Sequence, residues 1–351
     1  MTAWMIYGAN GFTGRLMAQE AVRRSMSPIL GGRRREAVED LAEELGLESH
    51  VFGLEDTDSV HAALSGCRLV LHCAGPFSAT SQPMIEGCIA SGAHYLDITG
   101  EIDVFANAHR QAERALHANV VLIPGVGFDV VASDCLAASL VNALPTATQL
   151  ALAFEVGGGP SPGTAKTGVE GLGRGGRIRK DGELIRVPLS YKSRNIPFAH
   201  AERTAVTIPW GDVYTAFVST GVPDIEVYLS VPPERIAQLR RLRLIQPLLG
   251  LRLVQSFIKR GIEKSVSGPD DRIRRETRSE LWGEAKNAEG RSVSATMTTP
   301  NGYDLTVTAG LGIVEHLLNN DVEGGYYTPS LLMGAEYAST LPGVEMRIGE
   351  R

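Results

Sequence analysis

The sequence predicts an α/β protein. Its first part is an N-terminal Rossmann doubly wound parallel sheet, and its second is an α+β domain with a mostly antiparallel sheet. Three observations carry this. Over the first 125 residues, short continuous apolar runs alternate with helical patterns, as in a parallel sheet covered by helices on both faces. The first apolar run ends at Gly8, Gly11 and Gly14, spaced three apart. Beyond Leu144 the pattern becomes glycine-rich and then shows two-residue alternation, the period of a strand with one buried face.

Element by element, "AWMIYG" reads as a strand and "GFTGRLMAQEAVRRS" as a helix. "PILGGR" is a second strand, followed by the charged amphipathic helix "REAVEDLAEELG". Four more pairs follow: "HVFGLED" with "TDSVHAALSG", "RLVLHCAG" with "SQPMIEGCIASG", "HYLDITG" with "EIDVFANAHRQAERALHA", and "NVVLIPG" with "FDVVASDCLAASLVNAL". The segment from Gly157 to Gly176 has no G-K-[ST] ending with Walker spacing and reads as a solvated mobile loop; Lys166 and Arg174 within it are candidates to meet a carboxylate or thioester. "RTAVTIPW", "VYTAFVST" and "IEVYLSV" read as strands, and "RSELWGEAKNAEGRSVSATMTT" as a hairpin turning at "NAEG". "YDLTVTAGLGIVEHLLNND" has helical periodicity. The expected division is a dinucleotide domain over 1–128, a substrate or dimerisation domain over 129–319, and a segment, 320–351, that packs back on the first.

With 351 residues, 43% of them hydrophobic and 21% charged, the chain can bury two cores. The net charge of −6 argues against a nucleic-acid binder. Cys67, Cys73, Cys88 and Cys135 form no Cys-x-x-Cys pair and read as reduced, buried small hydrophobes. No His, Cys and acidic cluster has metal spacing, so no metal is expected. No signal peptide or spanning run is visible, and a cytoplasmic location is expected.

A strand, a glycine turn and a helix start are what a dinucleotide needs. Free N–H groups and the helix dipole hold the pyrophosphate. Gly8 allows the turn, Gly11 lets the backbone approach the phosphates, and Gly14 lets the helix pack on the strand. Asn10, Phe12 and Thr13 lie between and beside these glycines and belong to the same expected site. At the end of the second strand, "ILGGRRRE", there is no acid for a ribose 2′-hydroxyl. Arg33 and Arg34 stand there instead, suited to a 2′-phosphate. NADP(H) is therefore expected over NAD.

"GANGFTG", "VLHCAGPF", "HYLDITGE", "PGVGFDVVASD" and "GGYYTPSLLMG" together resemble the saccharopine dehydrogenase-like oxidoreductases, in the short branch that contains trans-acting enoyl reductases and the animal saccharopine dehydrogenase-like oxidoreductase. The resemblance implies an NADP-binding Rossmann domain and a C-terminal return to it. It also implies that Cys73, Ala74, Gly75 and Pro76 line the cofactor. Where the branch commonly reads "GFDSVPSD", this chain reads "GFDVVASD", which alters the pocket beside the nicotinamide.

Hydride transfer is cofactor chemistry, to which the protein adds orientation and a proton donor. Tyr95, Asp97 and Asp129 are the candidates at the carboxyl ends of the strands. Tyr95 could donate a proton, but reads better as a strand aromatic packed under a helix. Asp97 and Glu101 read equally as helix caps. His72 reads as a core histidine. Segment 234–261 is broken by Pro247; beyond the break Leu251, Val254 and Ile258 share one helical face, and Arg252 and Lys259 another. It reads either as a helix hairpin covering the second sheet or as a basic amphipathic surface that meets lipid or a carrier-bound acyl chain. Three functions follow. The first is an NADPH-dependent reductase of a C=C bond in a lipid- or polyketide-like substrate. The second is a C–N oxidoreductase using arginines between Arg174 and Arg203. The third is a non-catalytic NADP-binding sensor or scaffold. The expected partner is a small-molecule or carrier-bound acyl substrate, with a homodimer as a further expectation.

Overall fold

The computed structural model describes residues 3–350. In chain order it runs β1 (Trp4–Tyr7), α1 (Phe12–Arg23), β2 (Ile29–Gly32), α2 (Arg35–Leu45), β3 (Ser49–Val51), α3 (Thr57–Leu64), β4 (Leu69–His72) and α4 (Phe77–Ser91). Next are β5 (His94–Asp97), α5 (Ile102–His109), α6 (Ala112–His117), β6 (Val121–Ile123), α7 (Phe128–Ala143), β7 (Ala147–Glu155) and α8 (Pro162–Arg174). Then come β8 (Gly176–Lys180), β9 (Glu183–Val187), β10 (Ser193–Pro197), β11 (Glu202–Thr207), α9 (Asp212–Thr220), β12 (Asp224–Ser230) and α10 (Pro233–Leu242). A 3₁₀ turn (Arg243–Ile245) leads to α11 (Gln246–Leu249), α12 (Arg252–Ser265), α13 (Asp271–Glu276), β13 (Arg278–Asn287) and β14 (Ser292–Pro300). The chain ends with α14 (Gly302–Asn319), β15 (Gly325–Tyr326), α15 (Pro329–Met333), α16 (Tyr337–Thr340) and β16 (Glu345–Glu350).

Two compact units form. The first holds residues to Asp129 and Thr306–Leu332, the second Val130–Leu305 and the residues from Met333. The expected return of 320–351 is corrected at both ends. Most of α14 already belongs to the first unit, where Gly310 sits against Met17 of α1. Residues beyond Leu332 belong to the second unit, where β16 pairs antiparallel with β14.

The sheet of the first unit is parallel throughout, in the order β15-β6-β5-β4-β1-β2-β3. Chain order reverses between β1 and β4, and ligands of doubly wound sheets bind at that reversal, outside the strands' carboxyl ends. Strands β1, β2, β4, β5 and β6 are buried along their length, which is why each reads as an unbroken apolar run. Met5, Tyr7, Val70, Tyr95 and Leu122 share a core with Met84, Ile85 and Cys88 of α4.

In the second unit the sheet runs β10-β11-β12-β7-β13-β14-β16, with β8 joined to β12 and β9. Among the described residues of this sheet, only the β12–β7 pair is parallel. The "NAEG" hairpin is present as β13 and β14. Three sequence expectations change here. "VYTAFVST" is helix α9, not a strand: Val213, Ala216 and Phe217 fit a helical face as well as Val213, Thr215 and Phe217 fit alternation, and Gly221 in the left-handed region ends the helix. The glycine-rich "mobile loop" contains helix α8, started by Ser161, whose hydroxyl accepts from the Thr164 N–H, with Pro162 in the first turn. The segment after Leu251 is helix α12, but Val254 and Ile258 are its half-buried face and Leu253 and Phe257 its exposed one.

Candidate functional site

Every predicted cofactor residue lies at a carboxyl end of the parallel sheet in the first unit. After β1 the backbone turns at Gly8, whose φ is +80°. Gly8 and Ala9 N–H both donate to the Gly31 carbonyl, and Gly11 N–H donates to that of Gly8. The three glycines meet different surroundings. A Cβ on Gly8 would lie 2.7 Å from the Ala74 nitrogen, and one on Gly14 would lie 2.2 Å from the Gly8 carbonyl oxygen. Gly11 has an ordinary φ of −78°, and its nearest obstacle, also the Gly8 oxygen, is 3.2 Å away. Gly8 and Gly14 are thus required by the protein's own packing, whereas a Cβ on Gly11 would press on that one backbone oxygen at less than ordinary contact distance and find space on its other sides.

That space faces the start of α1. Gly11 caps the helix without a side chain, and no acid sits in its first turn. The end of a helix whose N–H groups lack capping side chains, with a positive dipole and no competing carboxylate, is a ready anion site. Asn10, Phe12 and Thr13 are part-exposed around it.

Asn10 also ties this turn to the end of β2. With its amide oxygen turned toward Arg34, it accepts from Arg34 Nε at 3.1 Å and Nη2 at 2.9 Å. Arg34 therefore keeps Nη1 for another partner. Arg33 is exposed at the strand's tip. The two guanidiniums stand where a ribose 2′-phosphate would come, and no carboxylate occupies the end of β2.

The loop after β4 closes against the glycine turn. Cys73 N–H donates to the Tyr7 carbonyl at 2.7 Å. The Gly75–Pro76 peptide is cis. Cys73, Ala74 and Pro76 are half-buried and Gly75 is exposed, so this loop forms an accessible wall. Burial pushes the Cys73 thiol up, which keeps it protonated and unsuited to act as a nucleophile. His72 braces the loop from below. Its Nε2 lies 3.0 Å from Thr80 Oγ1, and that hydroxyl lies 2.6 Å from the Ala74 carbonyl oxygen. A single direction satisfies the chain: the imidazole N–H donates to the hydroxyl, which donates to the carbonyl. Burial pushes the His72 pKa down to about 3, so the ring is neutral. The sequence reading missed this brace; Thr80, four residues after Pro76 in the first turn of α4, was its only signal.

The predicted catalytic residues separate into two kinds. Tyr95 and Asp97 are fully buried. Tyr95 OH donates to Asp97 Oδ2 at 2.6 Å, and Asp97 Oδ1 accepts from Thr99 N–H and Gly125 N–H, each at 2.9 Å. Burial raises the Asp97 pKa to about 6 against the lowering effect of these bonds, and holds the Tyr95 phenol far above its usual range. Both are corrected to structural roles: they pin the β5 loop to the β6 loop and expose no reactive atom. Glu101 is likewise a tie, its Oε1 accepting from Phe77 N–H at 3.1 Å, at the otherwise uncapped start of α4.

Asp129 differs. It is only half-buried, in the first turn of α7, directly after the β6 loop. The start of α7 is fixed by Phe128 N–H donating to Thr306 Oγ1 at 2.9 Å. Burial raises the Asp129 carboxyl to about 7. A carboxyl whose burial brings its titration near neutrality can hold and release a proton.

A doubly wound sheet with a glycine turn, an uncapped helix start and a rim of cross-bonded loops defines a dinucleotide-binding α/β protein. The NADP(H) fit is sound in this chain: a glycine turn with no side chain at Gly11, no acid in the first turn of α1, and two arginines at the β2 tip. Residues 4–121, within the first unit, match the family described as the saccharopine dehydrogenase NADP binding domain, which supports NADP(H) as the cofactor. The chain is 28% identical over 202 residues to a saccharopine dehydrogenase-like oxidoreductase of Rattus norvegicus, covering 50% of this chain and 47% of that one. It is 32% identical over 140 residues to a trans-acting enoyl reductase of Mycobacterium leprae, covering 37% and 33%. It spans about half the length of the first curated relatives it matches. The solved apo saccharopine dehydrogenase (L-Glu forming) of Saccharomyces cerevisiae shares the fold over 100% of both chains, with a TM-score of 0.67 at 9% identity.

Proposed function

We propose that this protein is an NADPH-dependent reductase that acts on a C=C bond of a lipid- or polyketide-like acyl substrate. The observation that carries the reading is the glycine turn at a helix start with no side-chain cap, where Gly11 has one close backbone neighbour, together with Arg33 and Arg34 at the β2 tip. Gly11, Phe12 and Thr13 at the α1 start hold the pyrophosphate. Arg33 takes the 2′-phosphate beside Arg34, which Asn10 orients. The Cys73–Pro76 wall positions the nicotinamide end. NADPH, when bound, supplies a hydride. Asp129 holds the proton that the reduction also requires, and gives it up from a carboxyl whose raised pKa keeps it protonated below about pH 7.

The likeness to a trans-acting enoyl reductase supports the C=C assignment. Three of the arginines between Arg174 and Arg203, and Lys166, are engaged within the fold and not set to meet a substrate with several carboxylates. Arg179 donates to the Val213 and Gly182 carbonyls and lies over the Phe217 ring. Arg194 pairs with Glu284, and Arg203 with Glu155. Lys166 is paired with Glu263. These cations already have partners within the fold.

The test is NADPH consumption by the purified protein against enoyl thioesters and, in parallel, imines. Turnover of an enoyl thioester that falls by roughly 10²–10⁴ in Asp129→Asn, with NADPH binding intact, is the expected outcome. Turnover of imines alone would replace the C=C reading. Binding of NADPH with no turnover of either class would contradict an enzymatic role.

A further inference from the structure

Between α10 and α12 the second unit exposes a run of large apolar side chains. Leu244 and Leu253 are each 85% exposed and Phe257 is 79% exposed, with Ile245, Leu248 and Leu251 also out in solvent. Scattered exposed leucines need no explanation, but six large apolar residues within one short helical segment do. The segment is held firmly from beneath. Arg243 donates to the Leu189 and Ser190 carbonyls at 2.7 and 2.8 Å. Helix α12 packs on α8 through its half-buried face, with Lys259 paired to Glu170 and Lys166 to Glu263. The apolar side chains are therefore presented outward by an anchored scaffold.

The segment's own charges have one sign, although Lys259 is paired with Glu170 and Arg243 is bonded to carbonyls beneath it. From residue 240 to 260 the chain carries Arg240, Arg241, Arg243, Arg252, Lys259 and Arg260 and no acid, in a protein whose net charge is −6. Alongside the patch lies a cavity of about 540 Å³ whose lining includes Arg174, Arg186 and Gln246, the last belonging to α11. Exposed leucine and phenylalanine ringed by arginine suits the boundary of a bilayer, where the apolar side chains enter the acyl layer and the guanidiniums meet phosphates. No helix among the described residues is long and apolar enough to cross a membrane.

We infer that residues 240–260 form a docking surface for a membrane bearing anionic phospholipid, with Leu244, Leu253 and Phe257 entering the lipid and Arg186, Arg241 and Arg260 meeting its headgroups. This does not depend on the reductase reading, since the surface lies in the second unit and its test needs no turnover. A two-fold contact between copies would set this basic patch against itself, like charge on like, whereas an anionic lipid surface is complementary to it.

The test is co-sedimentation of the full-length protein with phosphatidylcholine vesicles, with and without about 30% phosphatidylserine. Wild type should bind the anionic vesicles roughly ten-fold or more tightly than the neutral ones, and less tightly as salt rises. Leu253→Ser/Phe257→Ser should lose roughly ten-fold or more of that binding. Arg186→Gln/Arg241→Gln/Arg260→Gln should lose the preference for anionic lipid. Both variants should bind NADPH as wild type does, which separates a lost surface from a lost fold. Three results would overturn the inference: no vesicle binding by wild type, equal binding to neutral and anionic vesicles, or a dimer in solution that Leu253→Ser/Phe257→Ser converts to monomer while vesicles bind neither form.

Discussion

At the scale of the residue, the three glycines of the first turn separate experimentally. Gly8→Ala must hold a side chain at φ +80° and drive a Cβ to 2.7 Å from the Ala74 backbone. Strain and overpacking together should cost about 3 kcal/mol of stability by urea denaturation. Gly11→Ala keeps an ordinary φ and meets only the Gly8 carbonyl oxygen, at 3.2 Å, so it should cost less stability than Gly8→Ala yet weaken NADPH binding ten-fold or more, because its methyl stands at the α1 start. Equal stability losses in both would contradict the assignment of that space to a ligand. Asp97 gives a second separation. Its folded pKa of about 6 lies above its ordinary 3.8, so the folded state binds the extra proton. The stability this contributes is complete below about pH 4 and is lost as pH rises through about 6. Asp97→Asn can still accept from Thr99 and Gly125 and should flatten that dependence. Asp97→Ala strands two N–H groups and a phenol and should cost about 3 kcal/mol or more. Asp129 carries the corresponding rate prediction: kcat/KM should fall as pH rises past about 7, and Asp129→Asn should abolish that fall.

At the scale of the element, what holds the site in shape is a set of ties between neighbouring loops. Helix α4 has no cap of its own, and Glu101 reaches over from the β5 loop to supply one at the Phe77 N–H. Glu101→Ala should cost about 1 kcal/mol in urea denaturation, and Glu101→Gln much less. No change in the alanine variant would remove this tie from the account. The same scale shows which elements could be read from sequence. The parallel strands were legible because burial on both faces leaves unbroken apolar runs. Helix α9 was not, because eight residues fit either period. Helix α8 was hidden by its glycines although Ser161 and Pro162 mark its start. In α12 the spacing found an apolar face but not which face is covered, since that depends on α8, distant in sequence. Asp97 ends β5 and Tyr95 lies within it; that they bond each other and the β6 loop, rather than a substrate, depends on long-range packing that spacing does not encode.

At the scale of the whole molecule, an acidic chain holds an anionic cofactor through local arrangement, not net charge. The reversal between β1 and β4 brings the glycine turn, the arginine tip of β2 and the Cys73–Pro76 wall to one edge. The central claim is that this edge binds NADPH by its 2′-phosphate as well as its pyrophosphate. It is tested most directly by titrating the protein with NADPH and with NADH, following tryptophan fluorescence, in wild type and in Arg33→Ala/Arg34→Ala. The account predicts that wild type prefers NADPH and that the double variant loses about 10–100-fold in NADPH affinity, as expected for lost charge-assisted bonds, with NADH little changed. Equal affinity of wild type for both nucleotides, or an unchanged NADPH affinity in the double variant, would contradict it.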